Sequence, residues 1–150
     1  MTALTTGASE GNHALKAEAD IVPDETDIAD NSMELTVNLT TVKTVHVAKI
    51  DMSLENLWKL LYRAKTLITI KDDNGISVQS AKVEGKFYLN GVLISSTSAN
   101  TNASGIASVI SPWRSSKKGD VFRFDVTNVS KDGYTYDPSK NIETSDITVP

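Results

Sequence analysis

Cysteine is absent from this chain of 150 residues. No disulfide can staple it, and no thiolate can act as nucleophile or metal ligand. Secretion stays open, because a chain of this length buries a core without staples. Basic charge is in deficit, with 15 Lys and Arg against 19 Asp and Glu, a net charge of −4 and a pI near 5.1. Nucleic-acid affinity comes mainly from neutralising phosphates, so no nucleic-acid partner is expected. No apolar run reaches the roughly 18 residues of a transmembrane helix, so no membrane insertion is expected either. The opening stretch MTALTTGASEG has neither a basic region nor an apolar one and does not read as a signal peptide. Aromatic residues are few, at 6%.

What is present is alternation. In AKVEGKFYL, residues Ala81, Val83, Gly85, Phe87 and Leu89 alternate with Lys82, Glu84, Lys86 and Tyr88. Period two predicts a strand with one buried face. Asn90-Gly91 follows and leads into Val92, Leu93 and Ile94, the strongest short-range hairpin signal. Ala64, Thr66, Ile68 and Ile70 share a side, and Asp72-Asp73-Asn74-Gly75 then ends that run with turn formers. Phe122, Phe124 and Val126 share a side, and Lys131-Asp132-Gly133 closes their strand. GIASVI and SDITV are shorter strand candidates. This spacing predicts an all-β antiparallel sandwich or barrel.

The first forty residues differ. Leu15, Ala17 and Ala19 lie on one side of one run, and Met33, Leu35, Val37 and Leu39 on one side of another. The acidic DIVPDETDIADN joins them, giving a hairpin with a long loop. Two strands alone are marginal in water, so this hairpin needs a neighbour. Alternation resumes at Val42, which places a boundary near Thr40-Thr41 and divides the chain into 1–40 and 41–150. SLENLWKLL interrupts the β pattern. Leu54, Leu57, Trp58 and Leu61 fall at helical spacing behind Ser53. A short helix and a loop with Trp58 folded over the core edge fit it equally well.

The search for chemistry singles out no catalytic residue. His13 and His46 are not in a metal-ligand spacing, and no nucleophile elbow is present. His46 shares its side with Ala48, Ile50 and Met52, as a structural histidine would. No cofactor is expected beyond calcium. For calcium, the oxygen-rich loop offers Asp20, Asp24, Asp27 and Asp30. Local capping of backbone amides explains the same residues. Trp113, Tyr134 and Tyr136, with Trp58, would stack on a sugar if exposed and coplanar. Three Asn-x-Ser/Thr sequons start at Asn38, Asn102 and Asn128.

Four stretches together carry a resemblance: VHVAKIDMS, YRAKTLITIKDDNGISVQSAKVEGKF, NTNASGIASV and FRFDVTNVSKDGYTYDPSKNIETSDITV. Residues 43–150 resemble the immunoglobulin-like or carboxypeptidase-regulatory-like accessory modules of secreted bacterial and archaeal proteins. The pattern runs through Asp72, Gly75, Val78, Ala81 and Val83, then Asn102, Gly105 and Ala107, then Gly133 to Pro138 and Glu143 to Asp146. The apolar LENLWKLL departs from it. Residues 6–39 are similar to the last two strands of a cell-adhesion-related (CARDB-like) domain, through Gly11 to Asp20 and Glu25 to Asn31. The resemblance implies an immunoglobulin- or fibronectin-III-like sandwich preceded by a hairpin from an incomplete second one. It implies a non-catalytic spacer, stabiliser or adhesion module on the cell surface or outside it, with neighbouring domains of a larger protein as partners. The alternative is a glycan- or calcium-binding accessory of a secreted hydrolase such as a subtilisin-like peptidase. The free edges of the hairpin also suggest a homo-oligomer formed through it.

Overall fold

The structure, a computed structural model, describes residues 10–21, 23, 24, 26, 29, 31–141 and 145–150. Two compact units divide the chain, Met1–Thr41 and Val42–Pro150. Among the described residues there is no α-helix, only one short 3-10 turn.

The first unit is a hairpin. Strands β1 (Gly11–Glu18) and β2 (Ser32–Leu39) pair antiparallel, with Leu15 opposite Leu35 and Ala17 opposite Met33. His13, Leu15 and Ala17 therefore share a face with Met33, Leu35 and Val37, as alternation predicts. Ala19 N–H donates to the Asn31 carbonyl at 2.8 Å and closes the ladder at the loop end. At the other end the Glu10 carboxylate accepts from the Thr41 N–H at 2.9 Å. Leu15, Met33 and Leu35 are exposed.

The described residues of the second unit form nine strands: β3 (Lys43–Trp58), β4 (Leu61–Asp72), β5 (Lys82–Leu89), β6 (Val92–Asn100), β7 (Ile106–Ile110), β8 (Arg114–Ser115), β9 (Val121–Ser130), β10 (Tyr134–Tyr136) and β11 (Asp146–Thr148). One sheet has the order β10-β3-β4-β7, with β8 also pairing β4. Its pairings are antiparallel except that of β10 with β3, which is parallel. The other sheet is antiparallel throughout, in the order β11-β9-β5-β6.

Both sheets feed one hydrophobic core. The first contributes Val45, Val47, Ala64, Ile68 and Ile70, and the second Val83, Phe87, Phe122, Phe124 and Val129. Burying a side chain of this size contributes about 1.5–3 kcal/mol. The Phe87 and Phe124 rings lie on paired strands, 4.6 Å apart and tilted by 50°. Asn90-Gly91 makes the β5–β6 turn, with φ of 49° and 80°, the left-handed pair that a two-residue hairpin requires. Asp72 ends β4 through its carboxylate, which accepts from the Asn74 and Ile76 N–H groups at 3.0 and 2.8 Å.

Two expectations change. Leu54 to Leu61 form neither a helix nor a loop over the core. β3 runs straight on to Trp58, turns at Lys59-Leu60 and returns as β4, and Trp58 is 77% exposed. Ladder pairing outweighs the helical spacing here: Glu55 lies opposite Arg63 and Asn56 opposite Tyr62, and the Arg63 guanidinium grips the Glu55 carboxylate at 2.6 Å.

His46 does not share the side of Ile50 and Met52. The register shifts between Val47 and Lys49, so Ala48 is an extra residue that reverses the alternation. Val45 and Val47 point inward before it; Ile50, Met52 and Leu54 pack on the core after it. A second shift, opposite Glu84-Gly85, makes Thr127 an extra residue, and Val129 rather than Asn128 carries the inward face of β9 onward.

Candidate functional site

One end of the second unit gathers three segments distant in sequence. They are the β3–β4 turn at Lys59-Leu60, the β5–β6 turn at Asn90-Gly91, and residues 111–120 around β8. Hydrogen bonds fasten them together. Ser116 N–H donates to the Leu60 carbonyl at 2.8 Å. Arg114, paired through β8 with Tyr62, donates from Nη2 to the Ile94 carbonyl at 3.3 Å and so ties one sheet to the other. Asn90 donates from Nδ2 to Asp120 at 3.0 Å, and its Oδ1 accepts the Val121 N–H at 2.9 Å. The Lys117 backbone N–H, and after it the Asn90 amide, hold the Asp120 carboxyl below its ordinary value.

On this frame sit apolar side chains that the core does not take. Leu57, Trp58, Leu60, Val92 and Leu93 are between 51% and 77% exposed. A second register shift, between Asn56 and Trp58, makes Leu57 an extra residue at the turn. A shallow, open depression lies beside them, lined by Trp58, Lys59, Leu60, Leu61 and Ser115. The charge here is one-sided. Within these segments Lys59, Arg114, Lys117 and Lys118 stand against Asp120, and Arg63 and Glu55 lie opposite each other beside the β3–β4 turn. Both carboxylates are already engaged, by Arg63 and by Asn90 with the Lys117 N–H.

The residues singled out from sequence are scattered. Trp113 is at this end, half-buried, with the Arg63 guanidinium 4.4 Å above its ring. Tyr134 and Tyr136 are on β10, beside Lys43 and Val45 at the far end of β4, and both pack on the core. Ten residues of β4 separate the two places, roughly 33 Å of strand. The structure brings the two tyrosines together and leaves Trp113 apart from them. Asp20 and Asp24 are exposed in the hairpin's connection, while Asp27 and Asp30 lie outside the described residues. No group of three or more His, Asp or Glu able to hold a metal occurs among the described residues. His46 is half-buried on the outer side of β3, and its Nδ1 is enclosed without a hydrogen-bond partner among the described residues. The sequon residue Asn38 bonds Asn12, Asn102 caps the Ser104 and Ile106 N–H groups, and Asn128 bonds Glu84.

The sequence reading places Leu57, Val92 and Leu93 in its elements, but takes none of them, nor Leu60, as a site residue. Their signal was available, because apolar residues flank both turns where polar ones are usual. No family model, curated protein or solved structure matches the chain.

Proposed function

We propose that the chain is a non-catalytic, immunoglobulin-like accessory module of an extracellular or cell-surface protein. It acts by adhesion, through the end of the second unit that carries the β3–β4 turn. The observation behind this reading is the exposure of Leu57, Trp58 and Leu60 at a turn whose Leu60 carbonyl is held by the Ser116 N–H. Large apolar groups held together in water mark an interaction surface. Two sheets sharing one core, and the resemblance of residues 43–150, support the immunoglobulin-like assignment. The β1–β2 hairpin is assigned on the same grounds to a CARDB-like neighbour.

The test separates a binding surface from a piece of core. Trp58→Ser and Leu60→Ser are to be made singly and together, and their urea unfolding compared with that of the parent chain. Substituting a surface group changes stability by no more than about 0.5 kcal/mol. A loss beyond roughly 2 kcal/mol, of the size seen for core truncations, would make the turn part of the fold and end this reading.

A further inference from the structure

We infer that the partner of this end is an anionic lipid surface. The inference rests on the reading of the end as a binding surface and names what it binds.

Shape argues first. The apolar groups stand on and beside two turns, and the depression next to them is too open to enclose a peptide or a small ligand. Exposed apolar groups without an enclosing groove fit a soft, extended surface better than a small ligand. Composition argues second. Among the described residues Trp58 is the most exposed large apolar one, and leucines flank it at 57 and 60. Indole partitions to the boundary between water and acyl chains, where its ring and its N–H are both satisfied. Charge argues third. A chain of net charge −4 places five basic residues against two carboxylates here. Lys59, Lys117 and Lys118 close no ion pair among the described residues. Their long stems allow the ammonium groups to reach headgroup phosphates while Trp58 and Leu60 enter the layer below. An apolar tip plus a basic rim is the two-signal arrangement that stable attachment to a membrane surface requires. No spanning segment is involved; no helix among the described residues is long and apolar enough to cross a membrane.

The experiment is co-sedimentation of the full chain with vesicles of phosphatidylcholine alone and with 30% phosphatidylserine. Emission is read in a Trp113→Phe background, where Trp58 is the only indole. The expected result is binding to the anionic vesicles at least tenfold stronger than to the neutral ones, weakening as salt rises, with a blue shift of the Trp58 emission. Trp58→Ser and the triple variant Lys59→Glu, Lys117→Glu, Lys118→Glu should each reduce binding at least tenfold. Equal binding to both vesicles, binding that survives Trp58→Ser, or no binding at low salt would overturn the lipid assignment. If the chain ignores vesicles while the turn variants keep parental stability, the lipid is lost and the binding surface stands. If the turn variants unfold, both are lost.

Discussion

The ring of Phe124 occupies the space that a side chain at residue 85 would need. A Cβ built on Gly85 comes within 2.3 Å of the Phe124 Cζ and 2.7 Å of the Asp125 carbonyl oxygen. Gly85 is buried in the middle of β5, opposite the point where Thr127 is extra in β9. The glycine thus lets the Phe124 ring lie against the backbone and meet Phe87. Gly85→Ala should cost about 1–3 kcal/mol, the usual range for overpacking, or more because the carbonyl cannot swing aside. Urea unfolding gives the number; an unchanged midpoint would mean that the ring is free to move.

Thr66 should behave in the opposite way. It is completely buried, and its Oγ1 finds no hydrogen-bond partner among the described residues. Desolvating a hydroxyl without a partner costs about 1–3 kcal/mol. Thr66→Val keeps the shape and removes the hydroxyl, so it should raise stability by about 1 kcal/mol. A clear loss would show that the hydroxyl is satisfied after all.

Asn141 spans the start of the first sheet. Its Oδ1 accepts the Val47 N–H at 2.8 Å, and its Nδ2 donates to the Tyr136 hydroxyl at 2.7 Å. Val47 is the last inward residue before the extra Ala48, and among the described residues no strand pairs with that side of it; β10 stops at Val45. Asn141→Ala should cost about 1–3 kcal/mol by leaving the N–H unpaired. Tyr136→Phe should cost less, about 0.5–1.5 kcal/mol. Amide exchange checks the cause: the Val47 amide loses protection in the first variant and keeps it in the second.

Acid should loosen the same region. Lys140 Nζ lies 2.7 Å from Asp73 and 3.6 Å from Asp137. The hydrogen bond from Lys140, then that from Thr44, holds the Asp73 carboxyl below its ordinary value, and the Asp73 bond raises that of Lys140. A depressed carboxyl contributes stability that is complete above its unfolded value, near pH 4, and is lost as pH falls through the lower folded value. The raised ammonium contributes below its unfolded value, near pH 10, and loses that contribution as pH rises through the higher folded one. Lys140→Met should therefore lie below the parent from about pH 5 to 9, and the gap should close at both extremes. The groups are exposed, so the gap is small and shrinks in salt. A gap that persists at about pH 2 would assign the loss to the lysine stem instead.

Much of the fold was legible because alternation is a local signal. Ala81 to Leu89 and Ala64 to Ile70 face inward as their spacing predicts, and Asn90-Gly91 turns where its backbone freedom points. The misread places are those where one residue is added. Ala48 and Thr127 each reverse the pattern, which moved His46 to the outer side and hid Val129. Nothing in the identity of an alanine or a threonine announces an extra residue; the partner strand decides it. LENLWKLL failed for a related reason, since its leucines satisfy helical spacing while the ladder to Tyr62 and Arg63 sets the conformation. The candidate site was the least legible part. Lys59-Leu60, Asn90-Gly91 and residues 111–120 meet only through the sheet order, and no spacing along the chain reports that meeting.

The parallel pairing of β10 with β3 has a consequence in time. Tyr134 to Tyr136 dock beside Lys43 to Val45, the first strand of the unit against nearly the last. On a ribosome adding roughly 5–20 residues per second, β3 emerges some 5–20 seconds before its partner exists. For that interval Val45 and Val47 are on a strand that β4 can pair on one side only. A nascent chain halted in this window should be the most chaperone-dependent and most easily proteolysed form of the protein. Release should come with the codons for Tyr134 to Asn141, long after most of the core residues have been made.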